Sequence, residues 1–226
     1  LVLWSSTATT SDQGIRTADI NGDGRVDLLQ RSTFATSTIY FNTASGWSLY
    51  TGSDWSIPEE FVDQYGQDRN VRIFDLNGDG LPDIIRKYTD SSPHTSVYLN
   101  TGSGWSLDSN WDIPVNNLKD GVIFADINND GLMDLLQSYR TGPSSWTRAA
   151  YLNNGNYTWA QENAYAPPME FSYNGAEFGV READVNGDGY SDLIQAANGG
   201  AHAVYLNLGT GWATSSAWSP SWDFVD

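Results

Sequence analysis

The sequence predicts an all-β protein built from four repeats, and three observations support this fold class. A nine-residue motif of the form Asp-x-Asn-x-Asp-Gly-x-x-Asp occurs four times, beginning at residues 19, 75, 126 and 184. The motif starts are 56, 51 and 58 residues apart, a period typical of proteins that repeat one supersecondary unit. Each motif is flanked by short apolar runs, and no repeat contains ten residues with helical periodicity. We therefore expect strands and turns, with little or no helix.

Every repeat carries the same elements in the same order. One apolar strand leads into the motif (residues 14–18, 70–74, 121–125 and 179–183), and a second leaves from its last aspartate. A third strand ends in a Tyr-Leu-Asn-like sequence at residues 40–42, 98–100, 151–153 and 205–207. A turn follows, then a second aromatic residue close to a proline. These signals predict a sheet of three or four antiparallel strands in each repeat.

The repeats fill the chain, so we expect a single repeat domain over residues 1–226. Its approximate repeats are 1–63, 64–116, 117–171 and 172–226. Residues 218–226 repeat the pattern of residues 55–63. The period fits either blades that close into a ring or a segment of a larger array of stacked modules.

Composition narrows the classes of partner. The chain has 28 acidic residues against 11 Lys and Arg, a formal net charge of -17, and the motifs supply 12 of the aspartates. Nucleic-acid binding is not expected, because it needs clustered basic residues. Without an apolar run of about 18 residues, membrane insertion is not expected either. The absence of cysteine excludes disulfides. The polar, aromatic composition and a sequon at Asn156 favour an extracellular or cell-surface location.

The motif predicts a site for Ca²⁺ in each repeat. Carboxylate and amide oxygens at positions 1, 3, 5 and 9, with the carbonyl at position 7, form an all-oxygen set suited to a hard cation in a flexible loop. Tight turns alone would not require three aspartates at fixed spacing in four copies. The predicted ligands are Asp19, Asn21, Asp23, Arg25 and Asp27; Asp75, Asn77, Asp79, Leu81 and Asp83; Asp126, Asn128, Asp130, Leu132 and Asp134; Asp184, Asn186, Asp188, Tyr190 and Asp192.

An EF-hand is excluded by position 12 of the motif. That loop ends in an acidic bidentate ligand and continues into a helix. Position 12 is instead Gln30, Arg86, Gln137 and Gln195, and strand-like sequence follows. We therefore expect the loop to join two strands.

On these motifs the sequence resembles the FG-GAP or VCBS repeats. Such repeats form calcium-loop blades in integrin α-subunits and some fungal lectins. Residues 75–83 together with 98–105 are especially similar to the repeats of SpvB- and Rhs-type bacterial surface or toxin-associated proteins. The resemblance implies β-propeller-type blades, each an antiparallel sheet with a calcium loop between two strands.

We predict a non-enzymatic extracellular module that binds or adheres to a protein or glycan partner. The alternative is a structural segment of an extracellular fibre or toxin scaffold, whose partners include neighbouring copies of itself. Catalysis has little support, because the two histidines, His94 and His202, lie in unrepeated turns.

Two further sets of residues carry expectations. We expect the repeated arginines Arg16, Arg72 and Arg181 to balance the charge of the motifs. Repeated tryptophans should pack one repeat on the next, while unrepeated ones contact a partner. The repeated set is Trp47, Trp105 and Trp212, and the unrepeated set is Trp4, Trp146, Trp159 and Trp222.

Overall fold

A computed structural model describes residues 12–33, 35–89, 93–119, 121–197 and 202–224. It confirms the all-β prediction, with four sheets of the β-propeller type, one from each repeat. One 3₁₀ turn, Asn163–Tyr165, is present in these ranges. The described part of the chain holds no helix with the length and apolar character needed to cross a membrane. Trp4 lies outside the described residues.

The residues group into two compact units, the first formed by Leu1–Asp75 with Asp79–Ser109 and the second by Leu76–Gly78 with Asn110–Asp226. The first unit holds two four-stranded antiparallel sheets. Sheet 1 contains β1 (Ile15–Ala18), β2 (Asp27–Ser32), β3 (Ala35–Thr43) and β4 (Gly46–Leu49). Sheet 2 contains β5 (Val71–Phe74), β6 (Asp83–Thr89), β7 (Pro93–Asn100) and β8 (Trp105–Asp108). The predicted boundaries of the repeats stay predictions.

The second unit holds sheets 3 and 4. Sheet 3 contains β9 (Val122–Ala125), β10 (Asp134–Gly142), β11 (Ser145–Asn153), β12 (Trp159–Gln161), β13 (Ser172–Tyr173) and β14 (Ala176–Glu177). Sheet 4 contains β15 (Val180–Ala183), β16 (Asp192–Ala196), β17 (His202–Asn207) and β18 (Trp212–Ser215). Sheet 3 departs from the predicted three or four strands, because the β13–β14 hairpin adds to it and β13 pairs with β10 in parallel.

The motif joins the first two strands of every sheet. We call these segments loop 1 (residues 19–27), loop 2 (75–83), loop 3 (126–134) and loop 4 (184–192). The residue before each loop pairs with its last aspartate, as Ala125 does with Asp134 in sheet 3. The glycine at position 6 has a positive φ in every loop, from 82° at Gly24 to 92° at Gly189, which an L side chain rarely adopts. The predicted sharp turn is therefore present.

Each unit has its own apolar core. In the first unit Ile20, Leu29, Ile57, Phe61 and Ile84 are fully buried in one cluster. In the second, the cluster includes Ile127, Leu136, Ala150, Phe171 and Leu193. The residue at position 2 of a loop, Ile20 or Ile127, belongs to its unit's cluster, so the loop is anchored by apolar packing as well as by hydrogen bonds.

Candidate metal centres and the contacts between repeats

In loops 1, 3 and 4 the oxygens at positions 1, 3 and 5 accept hydrogen bonds from the loop's own amides. In loop 3 the Gly131 and Asp130 amides donate to the two oxygens of Asp126 at 2.9 and 3.2 Å. The Asp130 amide also donates to Asn128 at 3.0 Å, and the Leu132 amide donates to Asp130 at 2.9 Å. The same bonds recur in loops 1 and 4. A carboxylate oxygen that accepts one hydrogen bond keeps a lone pair for a cation.

Position 9 differs, because its aspartate is fully buried in all four loops. In loop 3 the Ile127 amide donates to one oxygen of Asp134 at 3.1 Å, and the Asn153 amide donates to the other at 2.8 Å. Asp27 and Asp192 accept the equivalent pairs of bonds. The last carboxylate of the loop therefore connects the loop to the third strand of its own sheet.

The carboxylates of one loop repel each other. Burial is the largest of the effects that raise the pKa of Asp134 to about 7; the charges of Asp130 and Asp126 also raise it, and the hydrogen bonds from the Asn153 and Ile127 amides lower it. Burial also raises the pKa of Asp27 and of Asp192, again with contributions from positions 5 and 1. At position 1 of loop 4, hydrogen bonds from backbone amides, the largest from Gly189, lower the pKa of Asp184. A cation in the loop would relieve the repulsion and favour the ionised form of the buried aspartate.

The donor set of each loop fits a hard cation in its chemistry, with three carboxylates and one amide oxygen in nine residues. As the side chains stand in the described ranges, no three acidic or imidazole groups converge closely enough to hold a metal ion. In loop 3 both oxygens of the position-9 carboxylate, Asp134, accept hydrogen bonds from backbone amides. Calcium binding and its ligand set stay predictions.

Loop 1 differs from the others at position 7. Its residue is Arg25, where the other loops have Leu81, Leu132 and Tyr190. The Arg25 guanidinium pairs with Asp23 at 2.6 Å and donates to the Asn42 carbonyl at 2.8 Å. Loop 1 thus carries a positive charge of its own beside the carboxylate at position 5.

Three asparagines that the sequence analysis did not assign to the site join consecutive repeats. Each ends the third strand of its sheet, and its side-chain amide donates to the position-2 carbonyl of the preceding loop. The bonds run from Asn100 to Ile20 at 2.9 Å, from Asn153 to Leu76 at 2.8 Å, and from Asn207 to Ile127 at 2.7 Å. The sequence signal that could have identified these asparagines is their recurrence as the last residue of the Tyr-Leu-Asn-like segment. We call this contact the asparagine link.

Aromatic contacts accompany the links. Trp55 packs edge-on against Trp105 with ring centroids 5.5 Å apart, and Trp111 packs against Tyr157 at 5.2 Å. The Trp212 indole donates to the Tyr165 carbonyl at 3.0 Å. In each pair the second aromatic residue of one repeat meets the turn of the next. The prediction that repeated tryptophans pack between repeats is therefore confirmed for Trp105 and Trp212.

Other expectations about side chains are corrected. Trp47 is 54% exposed, so among the described residues it does not pack between repeats as expected. Trp159, expected to face a partner, lies 6.3 Å from the Trp111 ring. Arg16 and Arg72 form ion pairs with Asp12 and Asp68, which lie outside the loops, whereas the expected partners were the loop carboxylates.

The two histidines make local contacts. His94 stacks on Tyr88 with ring centroids 4.8 Å apart. His202 lies 3.0 Å from the Pro220 carbonyl and 2.6 Å from Asp223. The prediction that the chain is not an enzyme stays a prediction.

The sheets and loops define a protein of tandem β-propeller-type blades. Residues 19–86 match the family model of the FG-GAP-like repeat, which confirms the predicted resemblance for this part of the chain. Comparison with curated proteins found no match. Among solved structures, a chain of the Tc holotoxin pore of Photorhabdus luminescens is similar, with a TM-score of 0.54 and 19% identity over 92% of this chain. The match covers 9% of that chain, and at this identity it shows the fold alone.

Proposed function

We propose that the chain is a calcium-stabilised, non-enzymatic repeat module that serves as a structural scaffold within a larger extracellular protein assembly. The observation that carries the proposal is the asparagine link. In the second unit it places Leu76, Asn153 and Asp134 in one buried series of hydrogen bonds, which continues through Ile127 to Asn207. Positions 2 and 9 of the recurring motif thereby hold loops and repeats together.

Calcium would stabilise this series of hydrogen bonds through the aspartate at position 9 of each loop. Four clusters of three carboxylates repel internally without a cation, and a buried carboxylate is costly unless it is paired. A cation at about ten times its dissociation constant would stabilise one folded loop by about 1.4 kcal/mol. Four loops would contribute about 6 kcal/mol, comparable with the whole stability of an ordinary domain.

The larger assembly is inferred from the fold likeness and the repeat architecture. The similar chain belongs to the pore of a Tc holotoxin, and this chain covers a small part of its length. Repeat arrays commonly act as extended, rigid supports because each repeat packs on its neighbours. A scaffold role therefore accounts for the regular contacts between repeats.

Hydrogen exchange of the full chain, in millimolar calcium and in excess chelator, tests this proposal. Calcium should slow exchange at the amides of Asp130, Gly131 and Ile127 by about tenfold or more. Magnesium at the same concentration is the control and should protect them less, because the loop does not impose octahedral geometry. Equal exchange and equal unfolding temperature in calcium and in chelator would refute calcium stabilisation.

A binding role remains the second candidate, and one cavity favours it. Trp146, Met169 and Phe178 line a cavity of about 350 Å³ beside the β13–β14 hairpin, which extends sheet 3 to six strands. Trp146 is 39% exposed, and its indole donates to Ser138. An apolar segment of a protein partner suits this cavity. Loss of partner binding in Trp146→Ala, with binding retained in Trp222→Ala, would support this role, whereas equal binding by both variants would refute it.

A further inference from the structure

The cavity beside the β13–β14 hairpin is built from both sheets of the second unit. Trp146 of β11, Met169 and Phe178 supply apolar walls, and two polar side chains, Glu170 and Gln195 of β16, also line it. Its volume of about 350 Å³ lies near the small end of the range for ligand pockets, which is about 300 to 1,000 Å³. In such a pocket the few polar groups decide which ligand fits.

Gln195 is a buried polar residue whose side chain has no hydrogen bond among the described residues. It is 8% exposed, and none of its contacts there pairs its side-chain amide. Gln195 and Ala197 both line the cavity, whereas Ala196 between them does not. Residues two apart on an extended chain share a face, so the Gln195 side chain is directed to the cavity.

The same position of the motif is tied down in the first unit. Gln30 donates from its side-chain amide to the Gln13 carbonyl at 3.2 Å, and Arg86 donates to the Arg69 carbonyl at 3.0 Å. A buried amide without a partner is costly. The Gln195 amide therefore keeps both its donor and its acceptor for a molecule that enters the cavity.

Trp146 forms a wall of fixed orientation. Its indole N–H donates to the Ser138 hydroxyl at 3.0 Å, and that hydroxyl donates to the Met169 carbonyl at 2.6 Å. Ser138 is fully buried, so these bonds hold the ring from the protein side. A ring held in this way loses little conformational freedom when a ligand packs on it.

The charges beside Trp146 favour an acidic neighbour over a basic one. Arg140 forms an ion pair with Glu170. Arg148 lies over the Trp146 ring, 4.6 Å from its centroid, and forms no ion pair among the described residues. One positive charge is thus left without a partner next to the ring, and a ligand carboxylate would complement it.

We infer that the cavity binds a peptide segment of a partner protein in which an apolar side chain lies next to an acidic residue. The apolar side chain would pack against Trp146 and Phe178, and a peptide group would pair with the Gln195 amide, which can donate and accept. The acidic residue would face Arg148. A glycan suits the cavity less, because its hydroxyls would find only two polar side chains in the lining. The inference rests on the binding role proposed above and specifies its ligand.

Three blocked dipeptides test this chemistry by NMR of the full chain in millimolar calcium. The probe N-acetyl-Glu-Leu-amide should shift the signals of the Gln195 side-chain amide and the Trp146 indole, with a millimolar dissociation constant. N-acetyl-Glu-Gly-amide should bind at least about tenfold more weakly, because it has no apolar side chain. N-acetyl-Lys-Leu-amide should bind about threefold more weakly, because its charge has the same sign as that of Arg148.

Two variants separate the amide from the ring. Gln195→Met keeps the size of the side chain and should weaken the Glu-Leu probe about three- to tenfold. It removes no hydrogen bond of the described structure, so the melting temperature should stay the same or rise. Trp146→Ala should abolish probe binding. Trp222→Ala is the matched control, since Trp222 is exposed and does not line the cavity, and it should bind like wild type.

Several results would overturn the inference. These are the absence of any shift with the Glu-Leu probe, equal affinities for the Glu-Leu and Glu-Gly probes, and unchanged binding in Gln195→Met. A lower melting temperature of Gln195→Met would also overturn it, because the amide would then have a partner inside the protein. Protein-partner binding that is lost in Trp146→Ala would still support the binding role if no probe binds, and calcium-dependent protection decides the scaffold role separately.

Discussion

Removal of one asparagine link should destabilise the protein far more than the same change at Asn42, the equivalent asparagine of repeat 1. Asn153 is almost fully buried, and its side-chain amide donates to the Leu76 carbonyl at 2.8 Å and to the Met133 carbonyl at 3.3 Å. Its side-chain oxygen accepts from the Gly155 amide at 2.9 Å. Asn153→Ala removes all three bonds and leaves the Leu76 carbonyl buried without this donor. The hydrogen bond from the backbone amide of residue 153 to Asp134 is retained.

The expected cost follows from these bonds. Each hydrogen bond contributes about 0.5 to 1.5 kcal/mol net, and a buried group left without its partner costs about 1 to 3 kcal/mol. Asn153→Ala should therefore lower the free energy of unfolding by about 3 kcal/mol. For a unit of about 120 residues this corresponds to a fall of about 12 °C in the melting temperature.

The matched control is Asn42→Ala, the same change at the equivalent position of repeat 1. The Asn42 side chain has no hydrogen bond among the described residues, so the cost should stay below about 0.5 kcal/mol. Chemical denaturation of dilute protein, followed by tryptophan fluorescence and circular dichroism, measures both values. A loss below about 1 kcal/mol for Asn153→Ala, or equal losses in the two variants, would refute the role of the link.

Further predictions concern the cation loops. Arg25→Leu should raise the calcium affinity of loop 1, because it removes the guanidinium that pairs with Asp23; calorimetry should show one tighter site, and an unchanged isotherm would contradict the effect of this charge. In metal-free protein the contribution of Asp134 to stability should be fully present below about pH 4 and be lost as the pH rises to about 7, because burial raises the pKa of Asp134 in the folded state. Asp134→Asn should lower the stability overall, but it should also reduce the fall in the urea midpoint of unfolding between about pH 4 and pH 7. An unchanged fall would show that Asp134 does not cause the pH dependence. Phe171→Ala should cost about 3 to 5 kcal/mol, since Phe171 is buried in the core of the second unit; calorimetric unfolding measures this cost, and a loss below about 1 kcal/mol would contradict it.

The sequence predicted the strands next to the loops closely, because the motif constrains their ends. The apolar runs at residues 70–74 and 121–125 correspond to β5 (Val71–Phe74) and β9 (Val122–Ala125). The second strand begins at the last aspartate in every sheet. A fixed loop length sets the register of the hairpin, and the alternation of apolar residues then sets its faces.

Two features could not be predicted from the sequence, for different physical reasons. The β13–β14 hairpin has strands of two residues, and its counterpart in repeat 1 consists of isolated bridges from Val62 to Ser32 and Asp68, so the segments are too short for apolar alternation to indicate their pairing. The asparagine link joins residues about 80 positions apart, such as Asn100 and Ile20, and depends on how two sheets are placed in space. The motif indicated that the last aspartate is a ligand, but its burial depends on contacts with the third strand.

The aspartate at position 9 explains why a cation loop and a contact between repeats occur together. Asp134 accepts a hydrogen bond from the Ile127 amide, and the Ile127 carbonyl accepts the link from Asn207 of the next repeat. A cation that favours the ionised form of Asp134 would strengthen the first bond, because a charged acceptor binds an amide more strongly than a neutral one. That bond orders the peptide group whose carbonyl receives the link. We therefore expect calcium in one loop to stabilise the junction with the following repeat, so that chelation speeds hydrogen exchange in repeat 4 through loop 3 as well as through loop 4. In Asp134→Asn, the calcium-dependent protection of the amides around Asn207 should fall although loop 4 is intact, and unchanged protection there would show that the loops act independently.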